Sequence, residues 1–424
     1  MTHNPIITQV AKDSAALSQW FVMAGHTNIL VIADDNTADF AKKVIGNLST
    51  AKLFTLSPAL PNTDLVPDEA AIGKIFVAAK PYQDNRESSA LLAVGSGTIC
   101  DLVRYVSTRL GLTYYIVATA ASMDGYTSTV TSPIVGNIKQ AYPAVPPAGV
   151  IIDPAIYETA PGILTAAGFG DIMGKFVAVI DWEMEGRVIP DEDMFCQDLA
   201  NEMRQVTEEC FKAKTPASIM DALVDSGLII QKAGHSRPAA CSEHHLSHYW
   251  EMMALMKGHT PALHGAKVGM ATLAVLQAQE WLLEEEITDS MWDKAEENAA
   301  SFDTALWQED IRNHYSYASE EILALWPDET PATRAALIKA MRDNWPSLRI
   351  ILFQGTGMGE KVKEAIADLG GPTTPAQLGV CRDTFVSGVL YSNRIRRRFS
   401  TWRLLDLLGL LPSYAERLAD LFCE

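Results

Sequence analysis

The sequence predicts two domains of different classes, an α/β domain followed by an all-helical one. In the first 155 residues, continuous apolar runs rich in β-branched residues alternate with stretches of helical spacing, which is typical of parallel strands covered on both faces. From about residue 161 the chain consists of long Ala-, Met-, Leu- and Glu-rich segments with few such runs. A chain of 424 residues is expected to form two or three domains. We therefore predict domains over residues 1–158 and 159–424, with a cleft between them.

The elements of the first domain follow from local patterns. Residues 28–33 form an apolar strand, the Asp34-Asp35-Asn36 segment is a helix-start signal, and residues 37–48 have helical spacing. Further strands are predicted at 53–56, 91–94, 114–118 and 150–152. The 91–94 strand runs into residues 95–98, and a helix through Leu102, Val103, Val106 and Leu110 follows. In the second domain, helical spacing predicts helices over 196–212, 243–257, 266–287, 290–315 and 332–344.

Composition and charge restrict the partners. The formal net charge of −18 disfavours nucleic acid and anionic membranes, because phosphate contacts need a basic surface. Six cysteines without a C-x-x-C pair, together with an N-terminus that does not resemble a secretory signal, favour the cytoplasm. No window contains 18 uninterrupted apolar residues, so we expect no membrane span.

Two polar clusters follow predicted strands, where open α/β sheets bind ligands. Gly95-Ser96-Gly97-Thr98 lies between a strand and a helix, and such a turn can hold a phosphate on backbone N–H groups. The full G-x-G-x-x-G pattern is absent, which weakens this interpretation. The alternative is a tight turn that only connects the strand to the helix. The second cluster runs from Thr119 to Ser128, and its alternative is an Asp124-Gly125 turn with a hydroxyl cap.

A third set has the residue types of a divalent-metal site. His244 and His248 are four residues apart and therefore share a helix face, and His264 follows in the next segment. Asp171 adds a carboxylate, and two imidazoles with one carboxylate suit Zn²⁺, Ni²⁺ or Fe²⁺. The alternative is scattered polar histidines on an exposed helix. His245 points to another face and is the expected bystander.

These motifs, in this order, resemble the sn-glycerol-1-phosphate dehydrogenase family, in particular its bacterial branch typified by the AraM protein. The parent superfamily holds dehydroquinate synthase, glycerol dehydrogenase and the iron-containing alcohol dehydrogenases. The motifs are G-S-G-T-I-x-D from Gly95, T-x-x-S-M-D-G-Y-x-S from Thr119, G-x-G-D-x-x-x-K from Gly168, S-R-P followed by S-E-H and S-H from Ser236, and H-G-x-K-V-G from His264. They span residues 95 to about 269. The resemblance implies a Rossmann-like α/β domain plus an all-helical C-terminal domain, the dehydroquinate synthase-like fold.

The resemblance also implies an activity and its residues. The activity is the reversible, metal-dependent reduction of dihydroxyacetone phosphate to sn-glycerol 1-phosphate by NADH or NADPH. The metal ligands would be Asp171, His244 and His264, with His248 and Asp124 facing the substrate. The dinucleotide would be held by Gly95, Ser96, Gly97, Thr98, Ile99, Thr119, Ser122 and Ser128.

Three finer expectations complete this hypothesis. The metal, as a Lewis acid, would stabilise the alkoxide while the cofactor delivers hydride, and the proton would come from His248 or from a water relay through Asp124. The substrate phosphate would meet Lys175, Arg237 or Lys139. Asp34 either holds a ribose 2′-hydroxyl, which favours NAD(H), or only caps the helix that follows.

Three other functions remain open from the sequence. They are a dehydroquinate-synthase-like cyclase, a glycerol or alcohol dehydrogenase acting on a non-phosphorylated substrate, and a catalytically silent metal- or nucleotide-binding regulator. A basic run at Arg394, Arg396, Arg397, Arg398 and Arg403 would by itself indicate an anionic partner. We instead expect it to pair with acidic segments such as Glu284-Glu285-Glu286, within the chain or across a homodimer or higher homo-oligomer.

Overall fold

A six-stranded parallel sheet organises the N-terminal part of the protein. The computed structural model describes residues 8–46, 48, 50–58, 65–135, 138–139, 142–189 and 195–423. The strands of the sheet are β1 (Gln9–Ala11), β2 (Asn28–Asp34), β3 (Ala51–Leu56), β4 (Ser89–Gly95), β5 (Thr113–Ala118) and β10 (Gly149–Ile151). Their order across the sheet is β1-β10-β5-β4-β2-β3, and every pair is parallel. Two short antiparallel ribbons pair β6 (Val130–Thr131) with β9 (Tyr142–Pro143) and β7 (Ile134–Val135) with β8 (Ile138–Lys139).

The sheet is buried on both faces, as its continuous apolar runs predict. All seven residues of β4 are buried. Helices pack around it, and one face carries a core that includes Leu17, Val31 and Leu92. The helices of this region are α1 (Ala16–Ala24), α2 (Ala38–Ile45), α3 (Glu69–Ala79), α4 (Gly97–Leu110) and α5 (Pro154–Tyr157). The predicted α/β class is confirmed, with strands within about two residues of their expected positions.

The remainder of the described chain is helical, which confirms the predicted change of class. Its elements are α6 (Gly162–Val188), α7 (Gln197–Ala213), α8 (Pro216–Ala233), α9 (Ser242–Met256), α10 (His264–Glu284), α11 (Asp289–Ala300), α12 (Thr304–Tyr315), α13 (Ser319–Ala324), α14 (Pro331–Phe353), α15 (Met358–Asp368), α16 (Arg382–Tyr391), α17 (Thr401–Leu407) and α18 (Leu411–Phe422). By internal contacts the chain forms two compact units, residues 1–169 with 212–234, and residues 170–211 with 235–424. The first unit therefore includes α8.

Two helix predictions were wrong in extent. The segment 290–315 is two helices, because the Asp303 side chain accepts hydrogen bonds from the N–H groups of Ala305 and Leu306 and begins a new helix. The segment 332–344 continues through Pro346 to Phe353. Buried Leu348 and Ile351 extend the apolar face of α14 beyond the proline, and this packing outweighs the lost hydrogen bond.

One described helix, α6, is long and apolar enough to cross a membrane by length and composition. Of its most apolar window, 78% is buried inside the protein. Buried Asp171, Lys175 and Asp181 also lie along it. These features are those of a core helix.

The basic run pairs with acids other than the ones we expected. Arg394 lies 2.5 Å from Asp310, and Arg397 lies 3.3 Å from Asp328. Arg403 pairs with Glu329 at 2.6 Å and with Asp406 at 3.2 Å. Among the described contacts of this run, the Glu284–Glu286 segment supplies no ion pair. Asp310 and Asp406 belong to α12 and α17, whereas Asp328 and Glu329 lie in the segment between α13 and α14.

Candidate active site

Three side chains from three helices of the second unit converge on one point. Asp171 comes from α6, His244 from the first turn of α9, and His264 begins α10. One ligand atom from each lies within 4.8 Å of those from the other two. Asp171 and His244 are buried and His264 is partly buried. A carboxylate oxygen and two imidazole nitrogens at this spacing fit one divalent ion, with room for further ligands.

Positive groups keep the carboxylate of this set ionised. The Lys175 ammonium, one turn along α6, donates to Asp171 Oδ1 at 2.9 Å, and His244 Nε2 lies 3.4 Å from the same oxygen. Burial alone would raise the pKa of Asp171, but the Lys175, His244 and His264 groups hold it well below its usual range. The carboxylate is thus in the state that a metal requires.

Glu243 orients the first imidazole, a role that the sequence analysis did not assign. His244 Nδ1 lies 2.7 Å from Glu243 Oε1, so the N–H on Nδ1 donates to the carboxylate and Nε2 faces Asp171. The backbone N–H of Cys241 donates to the same oxygen at 3.0 Å. A carboxylate behind a histidine ligand fixes its tautomer and ring orientation. The S-E-H motif contained a signal for this role, because its glutamate lies in the first turn of α9, directly before His244.

The two neighbouring histidines of α9 have different surroundings. The ring of His248 is centred 5.9 Å from that of His244 and 5.5 Å from that of His264, so it lies beside the candidate metal site. His245 is buried on another face, and neither ring nitrogen has a hydrogen-bond partner in the described structure. Burial, then the charges of Arg398 and Arg396, lower the pKa of His245 well below its usual range.

The glycine turn forms at the carboxyl end of β4. Gly95 ends the strand, Ser96 is the N-cap residue and Gly97 begins α4. A side chain at Gly95 would meet Ile99 at 2.6 Å, which explains the glycine by close packing. Ser96, Gly97 and Thr98 are partly exposed, so the turn and the N-terminal end of α4 are open to a ligand.

Arg104 ties the second polar cluster to the first, a link that the sequence analysis also missed. Its buried guanidinium donates to the carbonyls of Gly125 and Tyr126, to Tyr114 Oη at 2.9 Å and to Asp101 at 2.8 Å. This holds the 119–128 loop against α4. Both loops therefore lie at the edge where β4 and β5 end.

The remaining residues of that loop are arranged as follows. Thr119 is buried and its N–H donates to the carbonyl of Gly95 at 3.2 Å, while Ser122 is partly exposed. Ser128 closes a local turn, since its hydroxyl accepts from the N–H of Val130 at 3.0 Å. Asp124 receives a long hydrogen bond from Ser226 of α8, at 3.4 Å.

Asp34 caps the turn that leads into α2 and bonds to Thr37, the N-cap residue, rather than to α2 itself. Its Oδ1 accepts from the Thr37 N–H at 2.9 Å and lies 2.7 Å from the Thr37 hydroxyl. That hydroxyl also lies 2.9 Å from the carbonyl oxygen of Val94. The cap thus places Asp34 beside the glycine turn, and it engages one of the two carboxylate oxygens.

The three cations considered for the substrate phosphate have separate positions. Lys175 lies at the metal set. Arg237 pairs with Glu185 at 2.7 Å, and Glu185 is fourteen residues, about 21 Å of helix, along α6 from Asp171. Lys139 is part of β8, and its side chain lies outside the described structure. Lys175 is therefore the one of the three that the described structure places at the metal set.

Comparison with known proteins identifies the family. The iron-containing alcohol dehydrogenase family matches residues 12–161. A glycerol-1-phosphate dehydrogenase (NAD(P)+) of Bacillus velezensis is 36% identical over 329 residues, which cover 76% of this chain and 70% of that protein. Its Bacillus licheniformis counterpart is 26% identical over 427 residues, 97% of this chain and 92% of that protein. A probable glycerol dehydrogenase from Sinorhizobium meliloti shares the fold, with a TM-score of 0.59, 17% identity and 97% coverage of both chains. This chain belongs to the glycerol-1-phosphate dehydrogenase family.

Proposed function

We propose that this protein reduces dihydroxyacetone phosphate to sn-glycerol 1-phosphate, reversibly, with NADH or NADPH as the hydride donor. In the forward direction one hydride from the cofactor and one proton convert the ketone to the secondary alcohol. The observation that carries the proposal is the convergent set of Asp171, His244 and His264 in a member of this family. These residues would hold one divalent ion, Zn²⁺, Ni²⁺ or Fe²⁺.

When bound, the ion supplies Lewis acidity toward the carbonyl oxygen of the substrate. The side chains around it have separable tasks. Glu243 holds the His244 ring so that Nε2 faces Asp171, and Lys175 keeps Asp171 ionised. Lys175 also provides a positive charge for a phosphorylated substrate.

The proton that completes the reduction is assigned to side chains that can exchange protons with solvent. His248 lies beside both histidines of the metal set and is partly exposed, so it can take a proton from solvent and pass it on. Asp124, also partly exposed, is the alternative through a water relay. Variants at the two positions separate these routes, since the group that donates the proton in the reduction should set the basic limb of the pH–rate profile.

We further propose that residues 1–158 form the dinucleotide-binding domain and residues 159–424 the metal- and substrate-binding domain. Gly95 to Ile99 would hold the diphosphate at the start of α4, with Thr119, Ser122 and Ser128 around it. The cap leaves Asp34 one carboxylate oxygen for a ribose hydroxyl, which favours NAD(H) over NADP(H). We propose cytoplasmic localisation and a homodimer or higher homo-oligomer.

An NADH-oxidation assay tests this function. Metal-stripped protein is mixed with dihydroxyacetone phosphate and Zn²⁺, Ni²⁺, Fe²⁺ or Mn²⁺, and the chirality of the product is determined. We expect stoichiometric NADH consumption and the sn-1 isomer. A cyclase would show no net NADH loss, a glycerol dehydrogenase would prefer dihydroxyacetone, and a silent regulator would show no turnover with any ion.

A further inference from the structure

A second cavity lies in the helical unit, apart from the metal set. Its volume is about 590 Å³, which is in the range of small-molecule sites. Its wall includes Glu185 near the end of α6, Ala336 and Leu337 of α14, and residues 397–399. None of the residues that line it belongs to the metal set, so this cavity is distinct from the candidate metal site.

Among the described residues, the cavity wall carries an excess of positive charge. Four arginines line the cavity together with three carboxylates. Three of the arginines are neutralised: Arg237 by Glu185, Arg397 by Asp328 and Arg403 by Glu329. The fourth, Arg398, donates to the carbonyl of Ala240 and, at 2.8 Å, to Ser236 Oγ. Both acceptors are neutral, so the residues of the wall that the structure describes keep about one unbalanced positive charge in a protein of net charge −18.

A second arginine, Arg396, does not line the cavity but adds to the positive charge beside Arg398. Arg396 is partly buried, and no carboxylate in the described part of the chain forms an ion pair with it. Burial, together with the neighbouring Arg398 guanidinium, lowers the pKa of Arg396 to about 10. Charged groups held together out of water are stabilised by a counter-charge. Since a guanidinium is suited to phosphate and carboxylate groups, the missing counter-charge of Arg398 points to an oxyanion.

The rest of the wall is apolar and aromatic. Trp326 and Phe399 line the cavity with Val188 and Leu337. An inorganic ion alone would leave this surface without a partner, whereas an organic anion would cover it. We propose that this cavity is a second ligand site, which binds a small organic phosphate or carboxylate with an apolar or aromatic body. The anionic group meets Arg398, and the apolar body packs on Trp326 and Phe399.

A matched pair of probes tests the site. 1-Naphthyl phosphate has the required charge and ring, and 1-naphthol has the ring alone. We expect calorimetric titration to give a saturable isotherm for the phosphate that is at least about tenfold tighter than for the naphthol. The factor corresponds to one charge-assisted contact. Equal affinities for the two probes would overturn the assignment of an anion site.

A variant pair locates the binding. Ala336 lines the cavity and is exposed on α14, and Ala332 is exposed one turn earlier without lining it. Ala336→Glu places a negative charge at the wall and should lower the affinity for 1-naphthyl phosphate about fivefold or more. Ala332→Glu should change this affinity less than about twofold. Both variants should keep the melting temperature and NADH oxidation of the parent. Equal affinity in the two variants would place the binding elsewhere and overturn the proposal.

Discussion

At the scale of single residues, the metal set is defined by what surrounds Asp171. Burying a carboxylate raises the free energy of the folded protein unless cations compensate its charge. Here the compensation comes from Lys175 at 2.9 Å and from His244 at 3.4 Å. The sequence predicted these residue types because helical spacing and the order of motifs can be read from the sequence alone. It could not show that the three helices bring them within 4.8 Å.

His264→Ala should remove both metal retention and turnover. Only Asp171 and His244 would remain as protein ligands, and two ligands make a weak site. Metal content after gel filtration and NADH oxidation measure the two effects. His259→Ala, which changes an exposed histidine five residues earlier, is the control and should retain both. Full activity of metal-free His264→Ala protein would refute the ligand assignment.

Glu243→Gln should weaken metal binding while the fold remains intact. The amide can still accept from the Cys241 N–H, but it is a poorer acceptor for the His244 N–H and holds the ring less firmly. Loss of such a partner typically costs 10- to 100-fold in metal affinity. Competition against a fluorescent chelator measures it, with Glu321→Gln on the exposed surface as control. An unchanged dissociation constant for the metal would show that Glu243 does not orient His244 for metal binding.

At the scale of elements, the site depends on how closely α6 approaches α10. A side chain at Gly170 would lie 2.5 Å from the carbonyl oxygen of Gly265 and 3.2 Å from Gly269 Cα. Glycine at position 170 is therefore required by backbone contact between two helices, one of which carries Asp171 and the other His264. This gives the glycine before Asp171 in the G-x-G-D motif a physical reason.

Gly170→Ala should push the two helices apart. We expect it to cost about 1–3 kcal/mol of unfolding free energy, as overpacking does, and to lower metal affinity because Asp171 moves away from His264. Urea unfolding and metal titration measure these effects. Gly162→Ala is the control at the start of the same helix, where an added side chain meets nothing within 4 Å, and it should change stability by less than about 1 kcal/mol. Equal behaviour of the two variants would contradict the close-approach argument.

The elements also show where prediction from sequence ends. Strands such as 28–34 and 89–95 were predictable because they are continuously apolar and end in turn residues. The break at Asp303 was missed because an aspartate can also lie within a helix, on its solvent-facing side. Its presence alone therefore does not show that a new helix begins. The continuation past Pro346 depended on tertiary packing of Leu348 and Ile351, which local sequence does not contain. Arg104 was missed for the same reason, since Tyr114, Gly125 and Tyr126, which it contacts besides Asp101, lie ten or more residues away.

At the scale of the whole molecule, Asp181 joins three segments of the helical unit. Its Oδ2 accepts from the Ser242 N–H at 3.0 Å, and its Oδ1 accepts from the Thr401 N–H at 2.9 Å and from the Thr401 hydroxyl at 2.6 Å. One buried carboxylate on α6 thereby caps α9 and α17. Burial raises the pKa of Asp181 to about 7, although these hydrogen bonds oppose the rise.

This raised pKa predicts the sign of a pH effect on stability. The native state holds the Asp181 proton up to about pH 7, and the unfolded chain releases it near pH 4. The stabilising contribution is therefore complete below about pH 4 and is lost as the pH rises to 7, by up to about 4 kcal/mol. Asp181→Asn cannot titrate, so its unfolding free energy relative to wild type should increase between pH 4.5 and 7.5. Urea unfolding of metal-stripped protein measures it, and a difference independent of pH would refute the assignment.

The net charge and the basic run together predict no retention on nucleic acid. Arg394, Arg397 and Arg403 are already neutralised by acids of the same unit, and Arg398 faces a cavity too small for a polymer. A protein of net charge −18 then offers few free cations to a phosphate backbone, so binding at low ionic strength should be absent. Chromatography on immobilised DNA and RNA at 20 mM salt measures this, with a basic protein of similar size as positive control. Retention that falls steeply with salt would show that the run is available to polyanions, and its ion pairs would then have to open in solution.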